Sequence, residues 1–537
     1  MSTFLIIKKN RVNQSDTSRA CSFYKKLNPK QAGIEPKIFL ASWGALIYWE
    51  GLGERLANWR TDNHGEVQLN LGWNAHTELE PGLKKIVFFP TSESSDLTPL
   101  LLPQHSVGIY SIIKATTDFC ACIPDPFSSY PIYYLIQEGE TSISNDPILT
   151  MAMAGQIPQP SELGIIERLL TEANLGENYI FKNIPRLKPG QWIAVSETGT
   201  KVNSYQFEIK KVEQAELETY MLAQFKKLAH LNRPVILKLT GGRDTRLNLA
   251  LALKAGVRPL CYTIKSVDSK VADSLSKSYG LLHVHVDLNG NPIDATSPAS
   301  REYETIRSTA VFISGANGSI SRAHYLKEET GDISDEKKTV TKTYLGYKRI
   351  ALLSRKNFKN YFQFFLKWWE AMNLTENNWW FKGHHYDAIY IERCRTFGGE
   401  AWARSSGAID VPTLSGPLMY AYGLCFTPAQ RTQDLSHEKI INSYIGEQKI
   451  EYLGHHPSFL GKLFELLPVF IKTFTFRLVY KYRYNQLPQN KKLSEETFNE
   501  FADIFSKDEL KTLYLTRKQY VDETANLLKK ARLIKFV

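Results

Sequence analysis

Between residues 234 and 255 the chain reads PVILKLTGGRDTRLNLALALKA, and this stretch constrains the fold most. Pro234–Leu239 is a short apolar run of the kind a buried strand needs. Leu247–Ala255 is an apolar helix stopped by Gly256. Between them lies the turn Thr240-Gly-Gly-Arg-Asp-Thr-Arg246. Two glycines after a strand let the backbone turn tightly and approach an anion without a Cβ in the way. The amides of such a turn, with the positive end of the next helix dipole, form an anion cradle. Thr240 and Thr245 add hydroxyls, and Arg243 and Arg246 add positive charge, with Arg246 the arginine expected to act in catalysis. A carboxylate at Asp244 within an anion-binding turn implies a cation, so Asp244 reads as a Mg²⁺ ligand. The spacing is not that of a Walker loop, which ends Gly-Lys-Ser/Thr.

The grammar on either side of this turn differs. Downstream, Pro259–Lys265, Ser269–Tyr279 before Gly280, Leu282–Asp287 and Ala310–Ser314 continue a strand and helix alternation, which predicts a parallel, doubly wound sheet. Upstream, runs at Phe4–Ile7, Ile38–Tyr48, Ser106–Lys114, Phe119–Ile123, Ile132–Gln137, Thr141–Asn145 and Gln191–Val195 are separated by turn residues. They predict antiparallel sheets with few helices, one of them Ser161–Leu170 with Ser161 as its N-cap. The chain is therefore expected to be a multidomain α/β protein. Residues 1–210 would be an α+β layered domain, 211–460 a nucleotide-binding domain introduced by a helix near Val212–Leu231, and 461–537 a helical extension packed on the second domain. Gly331–Thr343, rich in charge and hydroxyls, is expected to be a mobile loop.

Composition narrows the partners. With 537 residues, two to four domains are expected, at roughly 100–200 residues each. The balance of 66 basic and 55 acidic residues gives +11, compatible with an anionic small molecule, a nucleic acid or a membrane surface. No nucleic-acid module is recognisable, so nucleic acid is discounted. Six scattered cysteines form no C-x-x-C pair. Cys120 and Cys122 alternate in an apolar run and read as core. Nothing resembles a signal peptide or an eighteen-residue apolar span, which predicts a cytoplasmic chain without a transmembrane segment.

The turn resembles the PP-loop, S-G-G-x-D-S, of ATP pyrophosphatases, with threonine for both serines. The resemblance extends to the asparagine synthetase-like proteins. Asp125-Pro-Phe-Ser-Ser-Tyr-Pro-Ile-Tyr-Tyr134 is similar to a hairpin of their Ntn-hydrolase-like glutaminase domain. Ser142-Ile-Ser-Asn-Asp-Pro-Ile-Leu149 and Asn178-Tyr-Ile-Phe-Lys-Asn-Ile-Pro-Arg-Leu-Lys-Pro-Gly190 match in order after it. Asp268-Ser-Lys-Val-Ala272, Gly280-Leu-Leu-His283 and Gly315-Ala-Asn-Gly-Ser-Ile-Ser-Arg-Ala-His-Tyr325 follow in the second domain. This resemblance implies an ATP-dependent, AMP-forming ligase with ATP and Mg²⁺ as cofactors. A small-molecule or peptide carboxylate would be activated as an acyl-adenylate and captured by an amine or ammonia. It implies nucleotide contacts at Leu239, Thr240, Gly241, Gly242, Asp244, Thr245, Ile264 and Gly315.

The departures are informative. Amidotransferase members begin Met-Cys-Gly-Ile, whereas this chain begins Met1-Ser2-Thr3-Phe4, so the first domain reads as a scaffold without glutaminase chemistry, as in the β-lactam synthetases and lasso-peptide cyclases. In the second loop Ser319 stands where the family has an acid that helps hold Mg²⁺, and Ala316 where relatives have a proton-transfer group. His324, with an ordinary pKa near 6.5, is the substitute base or else a surface histidine. Macrolactam formation and sugar-acid amidation are the reactions this pattern suggests; an inactive nucleotide-binding scaffold, or a partner protein of a biosynthetic complex, is the other reading. Several further features have two explanations each. Arg393 and Arg395 face an anion or solvent, Lys439 and Lys462 contact phosphate or solvent, and Trp368, Trp369, Trp379 and Trp380 line a pocket or fill core. Gly461–Tyr484 packs on the second domain or lies on a membrane surface. The paired histidines at 384–385 and 455–456 lack a third ligand at regular spacing.

Overall fold

The computed structural model describes residues 2–9, 12–50, 58–74, 107–204, 209–266, 268–287, 290–326, 336–345, 349, 352–372, 384–396, 409–446, 469–488 and 492–536. Two antiparallel sheets build the first part. One has the order β2-β3-β1-β9-β8, from β1 (Thr3–Lys8), β2 (Lys37–Ala41), β3 (Gly44–Trp49), β8 (Tyr133–Gln137) and β9 (Glu140–Ser144). The other has the order β11-β10-β7-β6-β5-β4, from β4 (Asn58–Thr61), β5 (Val67–Asn74), β6 (Gly108–Ala115), β7 (Phe119–Pro124), β10 (Gln191–Ser196) and β11 (Gly199–Ser204).

Strand periodicity explains the layering. In β1 the side chains of Phe4 and Ile6 enter the core between the sheets, with Leu69, Ile113, Cys120, Cys122 and Ile193. Leu5 and Ile7, on the other face, pack under helix α1 (Gln14–Leu27) through Ala20, Phe23 and Tyr24. Helices α2 (Pro147–Met153) and α3 (Glu162–Thr171) share that layer, and Ser161 caps α3 by accepting from the Gly164 amide at 3.2 Å. The arrangement is helix on sheet on sheet. Cys120 and Cys122 are core residues, as expected.

A linking helix α4 (Gln214–His230) leads to the parallel sheet, ordered β14-β13-β12-β15-β16. Its strands are β12 (Val235–Lys238), β13 (Leu260–Ile264), β14 (His283–Val286), β15 (Val311–Ile313) and β16 (Ile409–Val411). The crossover helices are α5 (Arg243–Lys254), α6 (Ser269–Ser278) and α7 (Pro298–Ile306). Leu237 belongs to the same core as Leu247, Leu251 and Leu275, while Ile236 belongs to a separate one with Ala299 and Tyr303. The sheet is thus wound on both faces. Strand order reverses between β12 and β15, where α/β sheets open a crevice at the carboxyl ends of their strands.

The remaining helices are α8 (Glu336–Tyr344), α9 (Arg355–Ala371), α10 (His385–Arg393), α11 (Pro417–Gly423), α12 (Pro428–Thr432), α13 (Leu435–Ile445), α14 (Val469–Asn485), α15 (Glu495–Asn499) and α16 (Lys507–Arg532). Three expectations need correction. The single run Ile38–Tyr48 is a hairpin, turning at Ser42-Trp43 between β2 and β3. Residues 336–343, expected to be a mobile loop, form most of α8, with Val340 and Tyr344 buried; residues 331–335 lie outside the described residues. The C-terminal extension does not pack on the second domain alone. Its Arg517 pairs with Glu172, its Glu523 lies 3.7 Å from the buried Arg168 of α3, and Lys530 donates to Asn28. No helix among the described residues is long and apolar enough to cross a membrane.

Candidate functional site

Helix α5 begins at Arg243, four residues before the expected start, with Gly242 as an extended N-cap that supplies no side-chain bond. Asp244 therefore lies in the first helical turn, at the β12/β15 crevice. The loop is locked by its own hydroxyls. Thr240 Oγ1 accepts from the Gly242 amide at 3.1 Å, and the Thr245 hydroxyl, 3.0 Å from it, also accepts from the Thr240 amide. Both hydroxyls are engaged inside the turn. Gly241 sits against Asp268, whose Oδ1 a Cβ would approach to 3.1 Å.

The second loop, after β15, closes over the carboxylate. A Cβ on Gly315 would come within 2.8 Å of Asp244 Cβ, and one on Gly318 within 2.9 Å of Asp244 Cγ and Oδ1. Only glycine permits this approach. Ser319, at the position where the resemblance implies a second acid, donates to Asp244 Oδ2 at 3.2 Å. His437 Nε2, fully buried, lies 3.0 Å from Oδ1, and Arg322 Nη1 lies 3.6 Å from the same oxygen. Burial alone would raise the Asp244 pKa. The His437 imidazole, the Arg322 guanidinium and the Ser319 hydroxyl outweigh it and hold the carboxyl below its usual range.

Helices α12 and α13 support this arrangement. Asp434 pairs with both Arg243 and Arg322, and Glu438 accepts from Arg243 at 2.8 Å. Arg431 and Asp387, both buried, form a bidentate pair at 2.7 and 3.0 Å. Arg431 also donates to the carbonyls of Ser321 and Ile320, so it holds the second loop in place. Asn248 donates to the Ser314 carbonyl at 2.9 Å and accepts from Thr413 at 2.7 Å, tying α5 to β15 and to the Val411–Ser415 segment.

His324 faces solvent beside Tyr325 and Tyr390, with ring centroids 5.0 and 5.3 Å away. Crowding by the protein lowers its pKa first. The charges of Arg393, Arg322 and Arg349 lower it further, against a smaller opposing effect of Asp244, to about 4. The imidazole is neutral at pH 7, and three arginines converge on it. Of these, Arg393 pairs with Glu172 at 3.1 Å, Arg322 with Asp434, and Arg349 donates to the Tyr344 carbonyl, and the positive end of α5 adds to their field at this end of the sheet.

Not every expected residue belongs here. Arg246 is fully buried on the α5 face it shares with Leu249 and Ala250, so its expected catalytic role is withdrawn. Arg395 is buried against Glu392 at 2.6 Å and donates to the Leu187 carbonyl, joining the two domains rather than facing solvent or an anion. Lys439 is exposed, and Lys462, Trp379, Trp380, His455 and His456 lie outside the described residues. Trp369 is buried and stacks on His385 at 4.1 Å, as core. Ile264 ends β13 half-buried among Tyr262 and Phe312, and Leu239 is buried where the loop starts. Ser2 is fully buried, its hydroxyl 3.2 Å from that of Tyr48 and its carbonyl held by Asn145, so it has no open face as a nucleophile.

At Asp244 the expected Mg²⁺ would compete with protein cations. Asp244 Oδ2 accepts from Ser319, whereas Oδ1 is buried without a hydrogen-bond partner, with His437 Nε2 at 3.0 Å and Arg322 Nη1 at 3.6 Å, and the nearby Asp434 is tied to two arginines. A magnesium ion on Oδ1 would have to move Arg322 or His437 aside.

Comparison with known proteins adds little. No family model matches the chain. No curated protein matches it either. Among solved structures, the B. subtilis glutamine phosphoribosylpyrophosphate amidotransferase complexed with ADP and GMP aligns at 10% identity, covering 60% of this chain and 77% of that one, with a TM-score of 0.24. A structure described as the allosteric regulatory enzyme of purine biosynthesis aligns at 8% identity, covering 64% and 78%, with a TM-score of 0.25. Likenesses this slight do not establish a common fold.

Proposed function

We propose that the chain is an ATP-dependent, AMP-forming ligase that joins a carboxylate to an amine or ammonia. The observation that carries this reading is the second glycine loop closed on Asp244 at the sheet's switch point, beside the half-buried Arg322, Arg349 and Arg393. In the proposed reaction a substrate carboxylate oxygen attacks the α-phosphorus of ATP and pyrophosphate leaves. The amine then attacks the acyl carbon, loses a proton, and AMP departs with the bond electrons. The protein's part is to hold the polyphosphate at the N-terminus of α5 and to offset its charge with the arginines. His324, unprotonated at neutral pH, is positioned as the acceptor of the amine proton, and phosphate charge nearby would raise its basicity.

A non-catalytic nucleotide-binding scaffold is favoured by one observation, the crowding of Asp244 by Ser319, His437 and Arg322. Release of AMP separates the two readings. The protein is incubated with α-labelled ATP, a panel of amino acids, short peptides and sugar acids, and ammonia. Carboxylate-dependent AMP that falls in Arg322→Ala and His324→Ala supports the ligase; nucleotide binding without AMP from any acid supports the scaffold.

A further inference from the structure

A second cluster lies on the α6 face of the parallel sheet and has no part in the reaction above. Val284 and Val286 of β14 face α7, so His283 and His285 point toward α6, where Asp273 stands. His283 Nδ1 lies 2.7 Å from Asp273 Oδ1, and His285 Nε2 lies 3.0 Å from the same oxygen. One ligand atom from each residue falls within 4.8 Å of the others, and among the described residues no other His, Cys, Asp and Glu set meets this condition.

The protons at His283 decide what the cluster needs. Thr263 donates its single hydroxyl proton to the Leu239 carbonyl at 2.5 Å. The contact of 2.8 Å between Thr263 Oγ1 and His283 Nε2 therefore requires the ring to donate from Nε2. In a neutral imidazole, Nδ1 is then a lone pair, and it faces a carboxylate oxygen at 2.7 Å. Two acceptors at that distance repel unless a cation lies between them. The cation is either a second proton on His283 or a metal ion. For a metal the arrangement is prepared, because the Nε2–H bond to Thr263 fixes the tautomer that frees Nδ1 as a ligand.

We infer that Asp273, His283 and His285 form a site for a divalent transition ion of the Zn²⁺, Co²⁺ or Ni²⁺ class. Two imidazoles and one carboxylate suit these ions better than Mg²⁺, which prefers oxygen ligands. Bonds of about 2.0–2.1 Å with tetrahedral angles put ligands about 3.3 Å apart, so the observed 2.7 and 3.0 Å need to open by about 0.6 and 0.3 Å. Asp273 and the edge of His285 are exposed, leaving a position for water or an exogenous ligand. The site connects through Thr263 to Leu239, the residue just before the Thr240 loop, so loading it would stiffen the strand end from which that loop departs.

The test is calorimetric titration of the chelator-stripped full chain with Zn²⁺, repeated with His285→Ala and Asp273→Asn. Both changed side chains are at least a third exposed, so these variants are expected to retain the fold. The expected result is one Zn²⁺ per chain at a Kd on the order of micromolar, weakened at least about tenfold in each variant. Co²⁺ should give a visible d–d spectrum that both variants lose. Binding unchanged in both variants would overturn the inference. So would ¹⁵N spectra showing His283 doubly protonated at pH 7.5 and unmoved by equimolar Zn²⁺.

Discussion

Removing Asp387 should loosen the second glycine loop from a distance. Its carboxylate meets Arg431 at 2.7 and 3.0 Å and accepts from the Tyr420 hydroxyl at 3.1 Å, and the Asp387 and Arg431 side chains are each only 2% exposed. Asp387→Ala leaves a guanidinium buried without its counter-charge. Breaking one side of such a pair typically costs about 3–5 kcal/mol. Arg431→Met leaves Asp387 buried and also removes the bonds to the Ser321 and Ile320 carbonyls, so a similar loss is expected. The double variant Asp387→Ala/Arg431→Met removes both charges together. It should cost less than the sum of the single variants by about 2 kcal/mol or more. Urea unfolding, followed by circular dichroism with equal m-values required, measures the cycle. Each single variant should also weaken binding of an ATP analogue, because the displaced segment carries Ser319 and Arg322. Single losses below about 0.5 kcal/mol, or strict additivity, would refute the assignment of this pair as the loop's anchor.

Three other outcomes follow from the same geometry. Glu167 is fully buried, accepts from the Leu175 amide, Asn178 and Tyr361, and has its pKa raised to about 8, chiefly by burial. Its folded pKa lies above the unfolded one, so stability is full below about pH 4.5 and declines as pH rises toward 8; Glu167→Gln should flatten that slope in melts taken from pH 5 to 8.5, and an unchanged slope would count against it. Gly315→Ala should cost about 1–3 kcal/mol and reduce nucleotide binding by forcing the second loop off Asp244, whereas Gly33→Ala, with open space around it, should change melting temperature little. The His324 ring should titrate near pH 4 by NMR and shift upward when an ATP analogue binds; a midpoint near 6.5 in the free protein would show that neither burial nor the arginines act on the ring.

The strand, glycine turn and helix were legible because each is a local device whose residues are adjacent in the chain. Ser319 was legible as a neighbour of Asp244 through its place in the second glycine loop, and the two now stand 3.2 Å apart. Arg246 misled because the helix was expected to start at Leu247. Starting at Arg243, it carries residue 246 onto the face of Leu249 and Ala250. His437, Asp434 and Arg431 gave no signal, since nothing local ties a residue on α12 or α13 to a carboxylate almost two hundred positions earlier. Helix α1 and strands β4 and β5 were missed as well. β4 is four residues of polar sequence, whereas β5 carries a readable alternation at Val67, Leu69, Leu71 and Trp73 that a search for apolar runs passes over. Asp273, His283 and His285 sat within a recognised segment, but their meeting depends on which face of β14 turns toward α6.

The central claim is that protein cations, rather than a metal on Asp244, neutralise nucleotide phosphates at the Thr240–Arg246 turn. It is tested by calorimetric titration with an α,β-methylene ATP analogue, with Mg²⁺ and then in excess chelator, for the wild type and Arg322→Ala. The account predicts binding that survives without Mg²⁺ and falls at least about tenfold in Arg322→Ala. Binding that vanishes with the chelator would return Asp244 to the role of metal ligand, and no binding at millimolar analogue would contradict a nucleotide site at this crevice.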